Sequence, residues 1–237
     1  MKSRVELKDR AKEIYHSYKG LAILGFVVSF LIVNNRFSYD MNTNLYTIKT
    51  SIFSYTLDNP QNAMTLSLIF MFLTIFIIGP VRIGLKNLYL NLGTDKNTNM
   101  SYVLAPYRDG FLRTLWYMIL KTIIYIPVII IGAGLTLLIG VLASVILIVV
   151  AGVLIGLSIS QADYYFMKDK NMSARECLTQ SYIIMSGNKG ELFVLYLSFI
   201  LWYILVAITL GIAGFYVYPY SELTYAAFFK DLNGEEI

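Results

Sequence analysis

The chain has 237 residues, 57% of them hydrophobic and only 14% charged, with a formal net charge of +4. Soluble domains carry roughly 25% charged residues, so the missing charge marks surface that faces lipid instead of water. One cysteine (Cys177) excludes a disulfide framework, and with one histidine (His16) it leaves none of the usual zinc ligand sets. There is no HExxH, GxSxG or Walker-type loop. The reading is therefore an all-α polytopic membrane protein with no metal, no cofactor, no nucleic-acid partner and no catalytic residues, hence not an enzyme.

Residues 3–19 read as an amphipathic helix. Ser3-Arg4-Val5-Glu6 fits a capping box, in which each end side chain satisfies the other's free backbone N–H. Leu7, Ala11, Ile14, Tyr15 and Tyr18 make one apolar face, opposite Lys and Arg. Such a helix suits an anionic membrane surface, with calmodulin-type or nucleic-acid binding as the lesser alternative. The apolar run that follows, about Gly20–Val33, has a basic leader but no A-x-A-like cleavage site after it, so it reads as the first transmembrane helix.

Residues 34–62 read as a polar extracytoplasmic loop rich in Asn, Thr, Ser and Tyr. The second helix is expected from about Ala63 to Val81, continuing to Leu92. A basic region follows (Arg82, Lys86, Lys96, Arg108, Arg113), interrupted by a short interfacial segment, Met100–Phe111, punctuated by Pro106 and Gly110.

Ile123 to Ala162 is free of charge for 40 residues, too long for one span of ~20 residues and about right for two. Gly132-Ala133-Gly134 suggests the turn, giving helices three (Leu115–Ile131) and four (Leu135–Ser160). Residues 163–190 then form a charged cytoplasmic segment. Ser173-Ala174-Arg175-Glu176 is a second capping box, and the helix it opens should stop at Gly187, with Ala174, Cys177, Leu178, Ser181, Tyr182 and Met185 on its apolar side. Leu192–Ser221 is again free of charge and is divided by Gly211 and Gly214 into helix five (Leu192–Leu210) and helix six (Ile212–Phe229). One long tilted helix five is the alternative.

The chain thus reads as one integral membrane domain, 1–237, of about six transmembrane helices plus interfacial helices. Lys and Arg placement orients it. Six basic residues precede helix one (Lys2, Arg4, Lys8, Arg10, Lys12, Lys19), and the loops after helices two and four are basic. Six spans put every basic segment on one side, with both termini cytoplasmic in a multi-pass cell-membrane protein.

Helix four repeats small residues at Gly140, Ser144, Gly152, Gly156 and Ser160, with Ile148 breaking the row. Such residues let another helix approach closely, within the monomer or across a homodimer. Arg82, Lys121, Asp163 and Glu222 lie in or near the spans, all in the cytoplasmic half. Charge there is costly and usually pairs or lines a wet cavity. Two readings stand: a cytoplasm-facing polar pocket, or snorkelling and paired residues that set helix register.

The opening Ser3–Lys12 (SRVELKDRAK), Gly79–Leu85 (GPVRIGL), Ser181–Lys189 (SYIIMSGNK), Tyr218-Pro219-Tyr220 and Thr224–Leu232 (TYAAFFKDL) resemble an uncharacterised family of multi-span integral membrane proteins of Gram-positive bacteria. That family is catalogued as a domain of unknown function. Lys168-Asp169-Lys170-Asn171-Met172 stands where the family often has an Asp-Asn-Pro turn. The resemblance implies about six helices and no known activity. The family is remotely similar to membrane domains of glycerophosphodiester phosphodiesterases, which is analogy at the level of fold. Three functions follow in order of support. The first is a non-catalytic accessory, assembly or envelope-protection protein contacting the bilayer, anionic lipid headgroups or another membrane protein. The second is a transporter or channel for a small solute, lipid or peptide. The third is a lipid-acting membrane enzyme, for which Asp163 and Glu222 are the only deep carboxylates.

Overall fold

The computed structural model describes residues 2–33, 36–40, 45–49, 54–57, 60–95 and 97–235. The fold class is all-α. The helices are α1 (Arg4–Ser17), α2 (Lys19–Val33), α3 (Pro60–Leu73), α4 (Gly79–Asn91), α5 (Ala105–Arg108), α6 (Phe111–Ile123), α7 (Ile126–Ser158), α8 (Ala162–Lys168), α9 (Ala174–Ile184), α10 (Lys189–Leu197), α11 (Ile200–Ile208) and α12 (Gly214–Leu232). A π turn (Thr74–Ile78) joins α3 to α4 into one continuous helical stretch, and a 3-10 turn (Met100–Leu104) precedes α5.

Both capping boxes form. Ser3 Oγ accepts from Glu6 N–H and Glu6 accepts from Ser3 N–H; Ser173 and Glu176 repeat the exchange. These are local signals, and each satisfies two amides that a helix start leaves bare.

The expected 34–62 loop contains a small antiparallel meander instead, β1 (Arg36–Asp40), β2 (Leu45–Lys49) and β3 (Ser54–Leu57). Phe37 pairs with Ile48 and Tyr46 with Leu57. Alternating residues such as Arg36-Phe37-Ser38-Tyr39 carry the period of two that a strand needs. Residues 60–62 of that loop already belong to α3, and its other residues lie outside the described ones.

Among the described residues, three helical segments are long and apolar enough to cross a membrane: Phe111–Thr136, Gly140–Lys168 and Lys189–Ile208. The pair Arg4–Ser17 and Lys19–Leu31, bent by 97°, makes a fourth if a bent pair is one span. Residues such as Leu142 and Leu201, both 77% exposed, face outwards. The hairpin turn lies at Gly140, not at Gly132-Ala133-Gly134 as the sequence suggested. Gly140 alone in α7 leaves the helical region (φ 80°, ψ 166°), a conformation that favours glycine. Gly132 serves the hairpin differently. A Cβ there would lie 2.1 Å from Cγ1 of Ile148, so its missing side chain is what lets the two limbs close.

The core forms around α12. One side of it (Tyr220, Leu223, Ala227, Phe228) packs with Leu7, Ala11, Ile14 and Tyr15 of α1, with Leu85 and Leu88 of α4, and with Leu192 and Leu195 of α10. The other side (Ala226, Phe229) packs with Tyr164–Phe166 of α8, Ala174, Cys177 and Leu178 of α9, and Tyr117 of α6. The apolar faces of α1 and α9 are therefore covered by protein rather than left for lipid. Tyr182, expected on the apolar side of α9, is exposed.

The same packing gathers distant ends of the chain. Lys2 N–H donates to Asp231 Oδ2 at 2.9 Å, Lys230 Nζ to Thr94 Oγ1 at 3.0 Å, and Tyr165 OH to Asn233 Oδ1 at 2.7 Å, while Lys168 pairs with Glu235. The start of α1, the turn after α4, the end of α8 and the chain's end thus meet at one pole.

Candidate functional site

Asp163 is the centre of the buried charge. It opens α8, five residues from the end of the segment Gly140–Lys168, and is 5% exposed. Its Oδ1 accepts from Lys121 Nζ at 2.5 Å and from Tyr117 OH at 2.6 Å; its Oδ2 accepts from Lys86 Nζ at 2.7 Å. Lys121 and Tyr117 are four residues apart on α6, so one helix face supplies both. Lys86 comes from α4 and lies 5.3 Å above the ring of Tyr164. Three helices are therefore tied to one carboxylate, and both of its oxygens are taken.

Arginine fixes the same helix from its other end. Arg113 donates to the carbonyls of Phe166, Asp169 and Met172 at 2.8–3.2 Å, satisfying acceptors that the end of α8 leaves bare. Its guanidinium lies 4.0 Å from the Phe166 ring centre, and Phe166 in turn stacks on Tyr117 at 4.3 Å. Nearby, Asp109 holds Lys170 at 2.9 Å and Arg108 at 3.3 Å. Burial pushes the Asp109 carboxyl up, but the two cations outweigh it and hold it below its ordinary value.

Arg82 and Glu222 do not join Asp163. They line a separate cavity of about 220 Å³ between α2, α4 and α12, with Phe26, Ser29, Tyr89 and Tyr218. Lys86 borders it as well, so the cavity and the Asp163 network share one lysine. Of the four expected residues, Lys121 and Asp163 meet directly, and Arg82 and Glu222 border one cavity without touching.

A family model described as "protein of unknown function (DUF975)" matches residues 1–236. The chain belongs to this family. No curated protein and no solved structure matches it.

In this DUF975 chain the small-residue row of the second α7 limb does several jobs. Gly140 makes the turn; Ser144 is buried and within 3.3 Å of Thr136 Oγ1 across it. A Cβ on Gly156 would meet Tyr125 OH at 3.6 Å, Ser160 Oγ donates to the Leu157 carbonyl, and a Cβ on Gly152 would meet nothing within 4 Å. The row is thus partly used within the monomer.

Lys86, Tyr117 and Arg113 are the residues that sequence reasoning missed as site members. Lys86 was legible as the residue one helical turn after Arg82, on the same face of α4. Tyr117 stands in the same relation to Lys121. Nothing local marks Arg113 as the cap of a helix some fifty residues away.

Proposed function

We propose that this chain is a non-catalytic integral protein of a bacterial cytoplasmic membrane, crossing it six times with both termini in the cytoplasm. It would act as an accessory, assembly or envelope-protection factor. The helix α2, the stretch α3–α4, the three apolar segments and α12 would be the six spans. The contacts Lys2–Asp231, Lys230–Thr94 and Lys168–Glu235 support that count, because they gather both chain ends and two basic turns at one pole. An even number of crossings gives that arrangement directly. The positive-inside rule then makes the shared pole cytoplasmic. Gram-positive occurrence and kinship with glycerophosphodiester phosphodiesterase membrane domains belong to this proposal and rest on the sequence resemblance.

The observation that carries the non-catalytic reading is the closure of the Asp163 network. A general base or nucleophile needs a free oxygen within reach of its substrate; both oxygens of Asp163 already accept bonds from Lys86, Lys121 and Tyr117, which leaves Glu222 as the deep carboxylate open to a cavity. The Asp163 carboxylate holds helices together. The test is affinity purification from native membranes in a mild detergent, read by mass spectrometry. A protein partner at stoichiometric yield is expected; a chain that purifies alone refutes the accessory role.

The cavity beside Arg82 and Glu222 favours a second reading, a transporter or channel for a small solute, lipid or peptide. Solute flux in liposomes that is abolished by Glu222→Gln would select it.

A further inference from the structure

Three charged side chains border the cavity between α2, α4 and α12, and they are not equivalent. Lys86 already gives its ammonium to Asp163 at 2.7 Å. Arg82 and Glu222 make no ion pair and no hydrogen bond among the described residues, and they do not reach each other. Lys86 acts on Glu222 only through space. One exposed guanidinium and one half-buried carboxylate thus border a cavity in a helical membrane protein, where charge at membrane depth is costly and marks function.

The pair selects the ligand by charge. An anion alone would answer Arg82 and leave Glu222 facing a second negative charge. A cation alone would do the reverse. A molecule with an anionic end and an ammonium end answers both at once. Aromatic rings border the cavity as well: Phe26 and Tyr218, stacked on each other at 5.1 Å, and Tyr89, with Tyr218 one helical turn before Glu222 on α12. Ring faces attract a cation by about 0.5–2 kcal/mol. The volume, about 220 Å³, corresponds to roughly seven waters. That suits a headgroup-sized fragment and is below the range of drug-sized ligand sites.

We propose that the Arg82–Glu222 cavity binds a zwitterion carrying a primary ammonium and a phosphate or carboxylate, with Arg82 holding the anionic end and Glu222 the ammonium. Two sources share that chemistry, an aminophospholipid headgroup and a free solute such as an amino acid. The inference is independent of the accessory role: a chain that purifies without a protein partner refutes that role and leaves this site untouched.

The experiment uses the full chain in neutral maltoside micelles. Thermal-unfolding midpoints are recorded against dihexanoyl phosphatidylethanolamine, dihexanoyl phosphatidylglycerol, O-phosphoethanolamine and glycine, since a ligand that binds only the folded state raises the midpoint by an amount that grows with ln(1 + c/Kd), c being the free ligand concentration. We expect the amine-bearing zwitterions to raise it. Arg82→Gln and Glu222→Gln should each weaken the apparent affinity by about tenfold or more, as removal of one charge-assisted bond does. A response to the phospholipid alone assigns the headgroup; a response to phosphoethanolamine or glycine as well assigns the soluble zwitterion. Ser29→Leu leaves both charges in place and fills the cavity, and it should abolish the shift even if a charge variant fails to fold. The proposal is overturned if no zwitterion shifts the midpoint, if phosphatidylglycerol binds as tightly as phosphatidylethanolamine and is indifferent to Glu222→Gln, or if Ser29→Leu binds like the wild type.

Discussion

Replacing Asp163 by Asn tests the charge network by its own arithmetic. The substitution keeps the shape of the side chain and removes its charge, leaving Lys86 and Lys121 as two ammoniums facing one neutral amide. Both lysines are 30% exposed at their side chains and Asp163 is 7% exposed, so water rescues them only in part. Breaking a buried pair by removing one partner costs about 3–5 kcal/mol, and here one carboxylate answers two cations. Lys121→Met should cost less, about 1–3 kcal/mol, because Lys86 and Tyr117 still satisfy Asp163. The double variant should cost less than the sum of the two, since Asp163→Asn hurts chiefly by stranding the lysines. The assay is equilibrium unfolding of purified protein in mixed micelles with rising dodecyl sulfate, followed by tryptophan fluorescence. The reasoning fails if Asp163→Asn unfolds within about 1 kcal/mol of the wild type, or if the two substitutions simply add.

Other predictions address the packing. A Cβ on Gly84 would lie 1.9 Å from the backbone carbonyl oxygen of Val103, so Gly84→Ala should destabilise by about 1–3 kcal/mol or more. Gly134→Ala meets nothing within 4 Å and should be neutral or stabilising by up to about 1 kcal/mol; dodecyl sulfate titration compares the two. Arg113→Ala strips three carbonyls of their donor, so trypsin should cut the α8–α9 connection at Lys168 and Lys170 faster than in the wild type. Cys177 is wholly buried, and burial pushes its thiol up from 9.0 to about 11 against the pull of Arg113. The folded state therefore holds that proton more tightly than the unfolded one. Its contribution is complete below about pH 9 and is lost as pH climbs towards 11. Maleimide labelling should be negligible in folded protein at pH 7.5 and rapid once the chain is unfolded; rapid labelling of the folded protein would refute the packing of α9 on α6 and α8.

Local chemistry was legible in the sequence and tertiary choice was not. The capping boxes at Ser3 and Ser173 each involve four consecutive residues, so they were read correctly from the chain alone. Helix termini at Pro106, Gly110 and Gly187 were legible for the same reason. The hairpin turn was misplaced because Gly132, Gly134 and Gly140 look alike in a charge-free run. Only the close approach of Ile148 shows that Gly132 is needed inside a helix. The faces of α1 and α9 were identified residue by residue, but amphipathicity does not say whether lipid or protein covers a face; α12 covers one and α6 and α8 the other. The strands at 36–57 are hidden in the sequence by their Asn, Ser and Thr content, although Phe37, Tyr39, Tyr46 and Ile48 alternate as strand residues do. At the site, Asp163 and Lys121 each stand out as charge in an apolar stretch, and nothing in a spacing of 42 residues joins them. The contact exists because the α7 hairpin returns α8 to α6.

Thiol accessibility at three engineered positions tests the six-span account most directly. Cysteines are placed singly at Lys2, at Thr47 in β2 and at Glu235, and intact cells are treated with a membrane-impermeant maleimide before and after permeabilisation. Six spans predict that the cysteine at position 47 labels from outside, while those at 2 and 235 label only once the membrane is opened. Labelling of positions 2 and 235 from opposite sides, as three spans would give, contradicts the account.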